Sequence, residues 1–347
     1  MRLLFVTKPH LPAHGGAQQT VHWLALALLD RGHELTLLSP GPASPGGAPA
    51  VGRDPGYALV RTRGPVEDAL PAALDALRPD VVVVNGYAPT VAQAGRMLRR
   101  MADRPTVLYV HDAGGVPLAG DAGSVVAVSR FLARQLAARG IGAEVVPPIV
   151  EPAGYRVETT RRVALLVNPV PSKGLDVVLQ LAAARPDVPF ALQRCWRIPP
   201  AGLRRLHTAT RALGNVEIRP VSARPADVYG DARVLLAPSV YPEAWGRVAR
   251  EAQTSGIPVI AAARGGLPEA VGEGGLLVGP QAGAGGWLAA FERVWDDPLA
   301  YARLSRAAVR EGRRTESSAA VVAAAFEAVL EGARDSRRAL FRVPLPL

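Results

Sequence analysis

One cysteine, Cys195, serves all 347 residues, so an intrachain disulfide cannot form and a cysteine-rich zinc site is excluded. A reducing compartment suits such a chain, and the cytoplasm is the expected location. Lysine is nearly as scarce: of 40 basic side chains only Lys8 and Lys173 are lysines. Aromatics make up 5% and the basic residues are scattered, which leaves little for a surface that stacks single strands; no nucleic-acid partner is expected. No run of about 20 apolar residues is present, so no transmembrane helix is implied. The opening "MRLLFVTKPHLP" breaks at Lys8 and Pro9 and reads as a buried first strand rather than a signal-peptide core.

What is abundant is apolar residue and arginine. The 49% apolar content runs the whole length, and a chain this long suits two domains of roughly 150 to 180 residues. Net charge is +10, with 15 basic and 13 acidic side chains up to residue 160 and 25 and 17 after it. The excess favours an anionic partner: a phosphorylated small molecule, or peripheral contact with an anionic membrane.

Short Val/Leu-rich runs alternate with helical patterns, the mark of βαβ units and a parallel sheet covered on both faces. The first half offers strands at 3–7, 34–39, 57–62, 80–85, 106–111 and 124–129, with helices at 17–31, 66–77 and 130–139. "VVPPIVEPAGYRVETTRR" then interrupts the periodicity. A second series follows at 163–168, 189–194, 216–220, 234–239, 257–262 and 275–278, and helices close the chain around 287–295, 299–310 and 317–330. The expected division is a first domain over 1–150, a linker over 151–162, a second domain over 163–330 and a loosely held basic tail over 331–347.

Open α/β sheets bind ligands beyond the carboxyl ends of their strands, so the residues that follow strands matter most. Gly15 and Gly16 precede a helix after the first strand and can admit an anion, or serve only as a turn. They lack the three spaced glycines of a dinucleotide site. His111 ends the fifth strand and can hydrogen-bond a sugar hydroxyl or carry a proton; alternatively it caps its own loop through Asp112. His33 enters a strand from the opposite edge and is read as structural. Lys173 and Gly174 open a helix after the first strand of the second series, where a cation adds to the helix dipole in holding phosphate.

In "YPEAWGRVAREAQTSG", Glu243 and Glu251 stand eight residues apart. A short helix from about Gly246 to Thr254 puts Glu243 in the preceding loop and Glu251 inside, with about 6 Å of axial rise from Arg247 to Glu251. That spacing suits phosphates at the helix start and a ribose diol on Glu251, leaving Glu243 for the sugar hydroxyls of whatever the diphosphate carries.

These glutamates, with "PSKG" at 171–174, "APS" at 237–239, "RGGLPEAV" at 264–271 and the early "GGAQQTV", resemble glycosyltransferase family 4, the retaining enzymes of GT-B fold. The resemblance covers essentially the whole chain. It implies an α/β architecture of two Rossmann-like, doubly wound parallel-sheet domains facing a central cleft, the last helix crossing back to the first domain. It also implies a hexosyltransferase-type activity that moves a sugar from a nucleoside diphosphate sugar, UDP- or GDP-linked, to a hydroxyl acceptor, small or lipid-linked, held mainly by the first domain. By position, Glu251 would bind the ribose and Glu243 the transferred sugar. Ala244, Trp245, Gly246, Arg247 and Val248 would bind sugar and diphosphate through their backbone, Lys173 the diphosphate, and Gly16 and His111 would contribute from the first domain. Family members need no metal or other cofactor, and this chain has no Asp-x-Asp pair. One departure stands out: similar enzymes place an arginine five residues before the lysine, and here that position is Asn168, leaving Arg247 or Arg264 to supply the charge.

Two other readings compete. A glycoside hydrolase could use Glu243 and Glu251 as acid and nucleophile about 5 Å apart, though it has no use for Lys173. A nucleotide-sugar binding protein without transferase activity would fit Asn168.

Overall fold

The computed structural model describes residues 1–7, 9–10, 15–41, 56–86, 96–99, 101 and 104–340. The chain forms two compact units, one of Met1–Ile149 with Glu316–Leu347 and one of Val150–Thr315.

The first unit is built on seven parallel strands: β1 (Arg2–Val6), β2 (Glu34–Pro40), β3 (Ala58–Thr62), β4 (Val81–Gly86), β5 (Thr106–Val110), β6 (Ser124–Ala127) and β7 (Glu144–Val145). Their spatial order is β3-β2-β1-β4-β5-β6-β7. Helices α1 (Gly16–Asp30), α2 (Val66–Leu77) and α3 (Arg130–Ala137) connect strands. Leu4, Phe5, Val83, Leu108 and Val110 are all sealed from solvent, as uninterrupted apolar strands require when both faces are covered. Ser129 starts α3 by accepting the Leu132 amide at 3.1 Å, which satisfies a donor the helix cannot pair internally. β7 escapes sequence detection because two exposed residues carry no periodicity.

The second unit repeats the plan with six parallel strands: β8 (Val163–Val167), β9 (Phe190–Arg194), β10 (Val216–Val221), β11 (Ala232–Ala237), β12 (Val259–Ala262) and β13 (Gly275–Val278). Their order is β10-β9-β8-β11-β12-β13. Helices α4 (Pro152–Tyr155), α5 (Leu175–Ala184), α6 (Pro200–Thr210), α7 (Pro225–Tyr229), α8 (Arg247–Gln253), α9 (Leu267–Val271), α10 (Gly283–Trp295) and α11 (Pro298–Gly312) complete it. In both sheets the chain winds outward one way and then reverses, so a switch point opens between β1 and β4 and another between β8 and β11. The two doubly wound, Rossmann-like α/β domains anticipated from the alternating pattern are therefore present.

Two segments between and after the expected domains have structure of their own. Residues 151–162, expected as the linker, pack on the second unit: α4 lies on α8 and the Val157 amide donates to Ser255 Oγ at 2.9 Å. The expected tail from 331 is helical as far as Leu340, as part of α12 (Ala319–Leu340); residues 341–347 lie outside the described residues. The physical cause is an apolar stripe, Val322, Ala323, Phe326, Leu330 and Ala333, buried along α12. Phe326 meets Phe5 and Tyr109 with ring centroids 6.2 and 5.2 Å away, so the helix belongs to the first sheet. Among the described residues no helix is long and apolar enough to cross a membrane.

His33, expected to be structural, helps fasten α12: its Nε2 lies 2.9 Å from Glu327 Oε1, while Arg31 Nε donates to Glu327 Oε2 at 2.8 Å. The Arg31 bonds hold the Glu327 carboxyl below the usual range against an opposing effect of burial, and His33 adds to the lowering. A depressed carboxylate stabilises the fold above its unfolded pKa and loses that contribution as pH falls through the folded one. Thermal melts from pH 7 to pH 3 are expected to show Glu327→Gln less stable than the parent at pH 7, with the gap narrowing as the medium becomes acidic.

Candidate active site

At the switch point of the second sheet, β8 and β11 diverge and their following loops come together. After β8, Asn168 takes a left-handed conformation, φ 60°, one that asparagine tolerates better than most residues. Its Oδ1 accepts the Cys195 amide at 2.8 Å. Arginine has no acceptor and could not hold that amide, which gives the departure at this position a structural reason. A single 3-10 turn, Pro171–Lys173, then leads to Gly174 at φ 79°. A Cβ at Gly174 would lie 2.0 Å from the Pro238 carbonyl oxygen, so only glycine lets the two loops approach. The Val240 amide donates to the Ser172 carbonyl at 3.0 Å and joins them further.

This closeness unites residues 70 apart in sequence. Lys173 Nζ sits 2.9 Å from Glu243 Oε2, and Ser239 Oγ donates to Glu243 Oε1. The ammonium also lies 5.2 Å from the centre of the Tyr241 ring. Burial pulls the Lys173 pKa down, but Glu243 and Tyr241 outweigh it and the net shift is upward, so the ammonium stays charged at neutral pH. Beneath the loop, Gly265 and Gly266 approach so closely that a Cβ on either would lie 2.4 Å from a carbonyl oxygen, of Glu243 or Ala244 respectively. The Gly266 amide donates to Glu243 O at 2.7 Å, and Arg264 donates to the Val240 carbonyl.

Gly246, at φ 126°, turns the chain into α8. Trp245 is buried beside Arg250, 5.7 Å from ring centre to guanidinium, whereas Ala244 and Val248 stay partly accessible. Arg247 and Glu251, one turn apart on α8, form an ion pair, Arg247 Nε lying 2.7 Å from Glu251 Oε1. Tyr229 Oη donates to Glu251 Oε2 at 2.8 Å, and Arg247 Nη2 donates to Tyr155 Oη at 2.7 Å. Burial raises the Glu251 pKa, with Arg247 and Tyr229 opposing it. Burial first and then the Glu251 charge push the Cys195 thiol up to about 12, so this cysteine is no thiolate nucleophile at neutral pH.

Tyr155 and Tyr229 carry no functional signal in the sequence. One lies in the stretch read as a linker and the other in a five-residue helix; an aromatic amid prolines and glycines is the only local signal either offers.

In the first unit the remaining candidates lie at the corresponding carboxyl edge. Gly15 caps α1 without a side-chain bond, and Gly16 has open space where a Cβ would be. His111 is buried after β5, its Nε2 3.0 Å from Asn85 Oδ1 at the end of β4, and Asn85 Nδ2 donates to Val6 O at 3.0 Å. Asp112 caps the following 3-10 segment through the Gly114 amide at 2.8 Å. Among the described residues no group of three or more His, Cys, Asp or Glu could hold a metal ion.

Residues 14–153 match the profile of Glycosyltransferase Family 4 and residues 168–297 that of Glycosyl transferases group 1. A D-inositol 3-phosphate glycosyltransferase from Streptomyces avermitilis is 34% identical over 186 residues, covering 47% of this chain and 39% of the relative. One from Streptomyces coelicolor is 30% identical over 273 residues, covering 71% and 56%. The chain thus matches little more than half the length of these curated relatives at most. Among solved structures, Anabaena HepE in complex with UDP-glucose superposes with TM-score 0.78 at 18% identity, over 96% of this chain and 100% of that one. Sucrose-phosphate synthase from Thermosynechococcus elongatus does so with TM-score 0.75 at 21% identity, over 99% and 100%. With one profile on each sheet and the strand order of both halves as described, the chain belongs to glycosyltransferase family 4 and has the GT-B fold.

Proposed function

We propose that the protein is a retaining glycosyltransferase that moves a sugar from a nucleoside diphosphate sugar to a hydroxyl acceptor without a metal. The observation that carries this is the pair of ion-paired carboxylates at the second switch point, Glu243 with Lys173 and Glu251 with Arg247. Each carboxylate has its own cation and its own hydroxyl donor, which suits two separate tasks in holding one elongated ligand. Glu251 accepts from the ribose diol and Glu243 from the sugar. Lys173 stabilises the departing diphosphate, whose charge grows as the glycosidic bond breaks, so its contribution is larger in the transition state than in the ground state. The backbone from Ala244 to Val248 faces sugar and diphosphate, Gly15 and Gly16 offer backbone to the anionic ligand, and His111 contributes to catalysis from the first domain. A glycosidase gains nothing from Lys173.

HepE is described in complex with UDP and with UDP-glucose, which places UDP-sugars first among donors to try. The relatives' name makes a phosphorylated polyol the first acceptor class to try, and the net positive charge accords with it. A thermal-shift panel of UDP-, GDP-, ADP- and dTDP-sugars tests the reading: a donor at 100 times its Kd adds about 2.7 kcal/mol of stability. Transfer should continue in EDTA, and the product's anomeric proton coupling should match that of the donor. Stabilisation by none of the four would overturn the reading; stabilisation with neither transfer nor donor hydrolysis would favour a binding protein.

The Tyr155 hydroxyl holds Arg247, and Arg247 holds Glu251, so Tyr155→Phe should loosen the ribose carboxylate. Loss of one hydrogen bond to a charged group costs roughly 1.5 to 3 kcal/mol. Steady-state kinetics are expected to show donor KM raised about tenfold with kcat little changed.

A further inference from the structure

The loop over 195–199 leaves β9 at the carboxyl edge of the second sheet and carries an aromatic side chain that the fold does not use. Trp196 is only partly buried and belongs to neither of the two apolar clusters that form the core of this unit. The unit's other tryptophans are all committed. Trp245 is buried beside Arg250, Trp287 is buried within the larger cluster, and Trp295 stacks on Phe291 with ring centroids 5.5 Å apart. Among the described residues Trp196 makes no ring contact. A tryptophan is one of the largest contributors to a core, so one kept outside both clusters is available to another partner.

Its backbone is nevertheless fixed. The preceding amide, of Cys195, donates to Asn168 Oδ1 at 2.8 Å, and the Ser222 amide donates to the Arg194 carbonyl at 3.0 Å. Gln193 Nε2 bridges the Arg194 and Pro220 carbonyls at 2.9 Å each. Cys195 packs inward on the cluster that contains Tyr229 and has Val248 against it, and Tyr229 holds Glu251. Trp196 therefore starts about 3.8 Å of chain beyond the wall behind the proposed ribose carboxylate. In a nucleotide the base leaves the ribose at the carbon next to the 2′,3′-diol, so a ribose on Glu251 carries its base toward such neighbours.

We propose that Trp196 is a binding residue for the donor nucleotide, giving its base a stacking face while Glu251 takes the ribose. This rests on the nucleotide-sugar reading above. Stacking requires only a π face on the ligand, so Trp196 would strengthen binding of any nucleoside diphosphate without choosing between bases. It also gives Asn168 a function: by fixing the Cys195 amide it places the stacking residue, in exchange for the charge an arginine would have brought.

Isothermal titration of the parent, Trp196→Ala and Trp196→Phe with UDP, GDP, ADP and inorganic pyrophosphate tests this. For whichever nucleotide the parent binds most tightly, Kd should rise about tenfold or more in Trp196→Ala and stay within about threefold in Trp196→Phe. Pyrophosphate, which has no base, should bind all three proteins alike. The parent's tryptophan fluorescence should be quenched by that nucleotide, and the quench should be missing in Trp196→Phe. Equal nucleotide Kd in parent and Trp196→Ala, or parallel loss of pyrophosphate, overturns the proposal and leaves the transferase reading standing. A folded parent that binds none of the three nucleotides, nor dTDP, overturns both.

Discussion

Lys173→Ala is expected to reduce turnover about 10²- to 10³-fold, the usual consequence of removing one preorganised donor from the place where negative charge develops. Nucleoside diphosphate affinity should fall much less, because the charge on the phosphates is larger in the transition state than in the bound donor. The site has little reserve against this loss. Asn168 is neutral and turned to the Cys195 amide, Arg247 is spent on Glu251 and Arg264 on the Val240 carbonyl. Neither arginine named as a replacement for the missing charge is free of other duties. The variant also leaves Glu243 buried without its cation, so a melt should accompany the kinetics. Single-turnover rates at saturating donor, set against the Kd for UDP, separate the two effects. A turnover equal to the parent's would remove Lys173 from the chemistry.

Glu243→Gln is expected to act in opposite directions on two ligands. The carboxylate lies 2.9 Å from the ammonium proposed to hold the diphosphate, so on that proposal Glu243 competes with phosphate for Lys173. Removing its charge frees Lys173 and relieves repulsion of roughly 2 to 3 kcal/mol between unit charges about 6 Å apart at an effective dielectric near 20. UDP should therefore bind about 30- to 160-fold more tightly. Transfer should fall about 10- to 100-fold, since an amide is a weaker acceptor for sugar hydroxyls than a carboxylate. UDP binding that weakens along with transfer would show that Glu243 supports the nucleotide itself and would sink its assignment to the sugar.

Much of this architecture is readable from local pattern. Runs such as "LLFV", "VVVV" and "VALLV" have no polar face and can only be strands covered on both sides, and the helical spacings between them dictate parallel pairing. The same pattern places Lys173 and Glu243 after strands, where a doubly wound sheet keeps its ligands. Scarcity helped as well: one lysine within the arginine-rich second half marks a position that arginine does not fill. Tyr155 and Tyr229 carry no such mark, because their importance lies in what surrounds them. The one-turn helix within 151–162 has no such mark either, since proline and glycine punctuate a short helix as readily as an open connection.

The sequence by itself determined every strand but β7, their order of appearance, the fold they build and the carboxylates worth attention, because periodicity and residue type are properties of neighbours along the chain. Only the tertiary structure decided which charges neutralise one another. Lys173 meets Glu243 because Gly174 lets one loop close on another, and Arg247 reaches Tyr155 because a segment 92 residues earlier folds back on α8. An ion pair depends on distance in space, and contacts between remote segments are fixed when the sheet and its loops assemble.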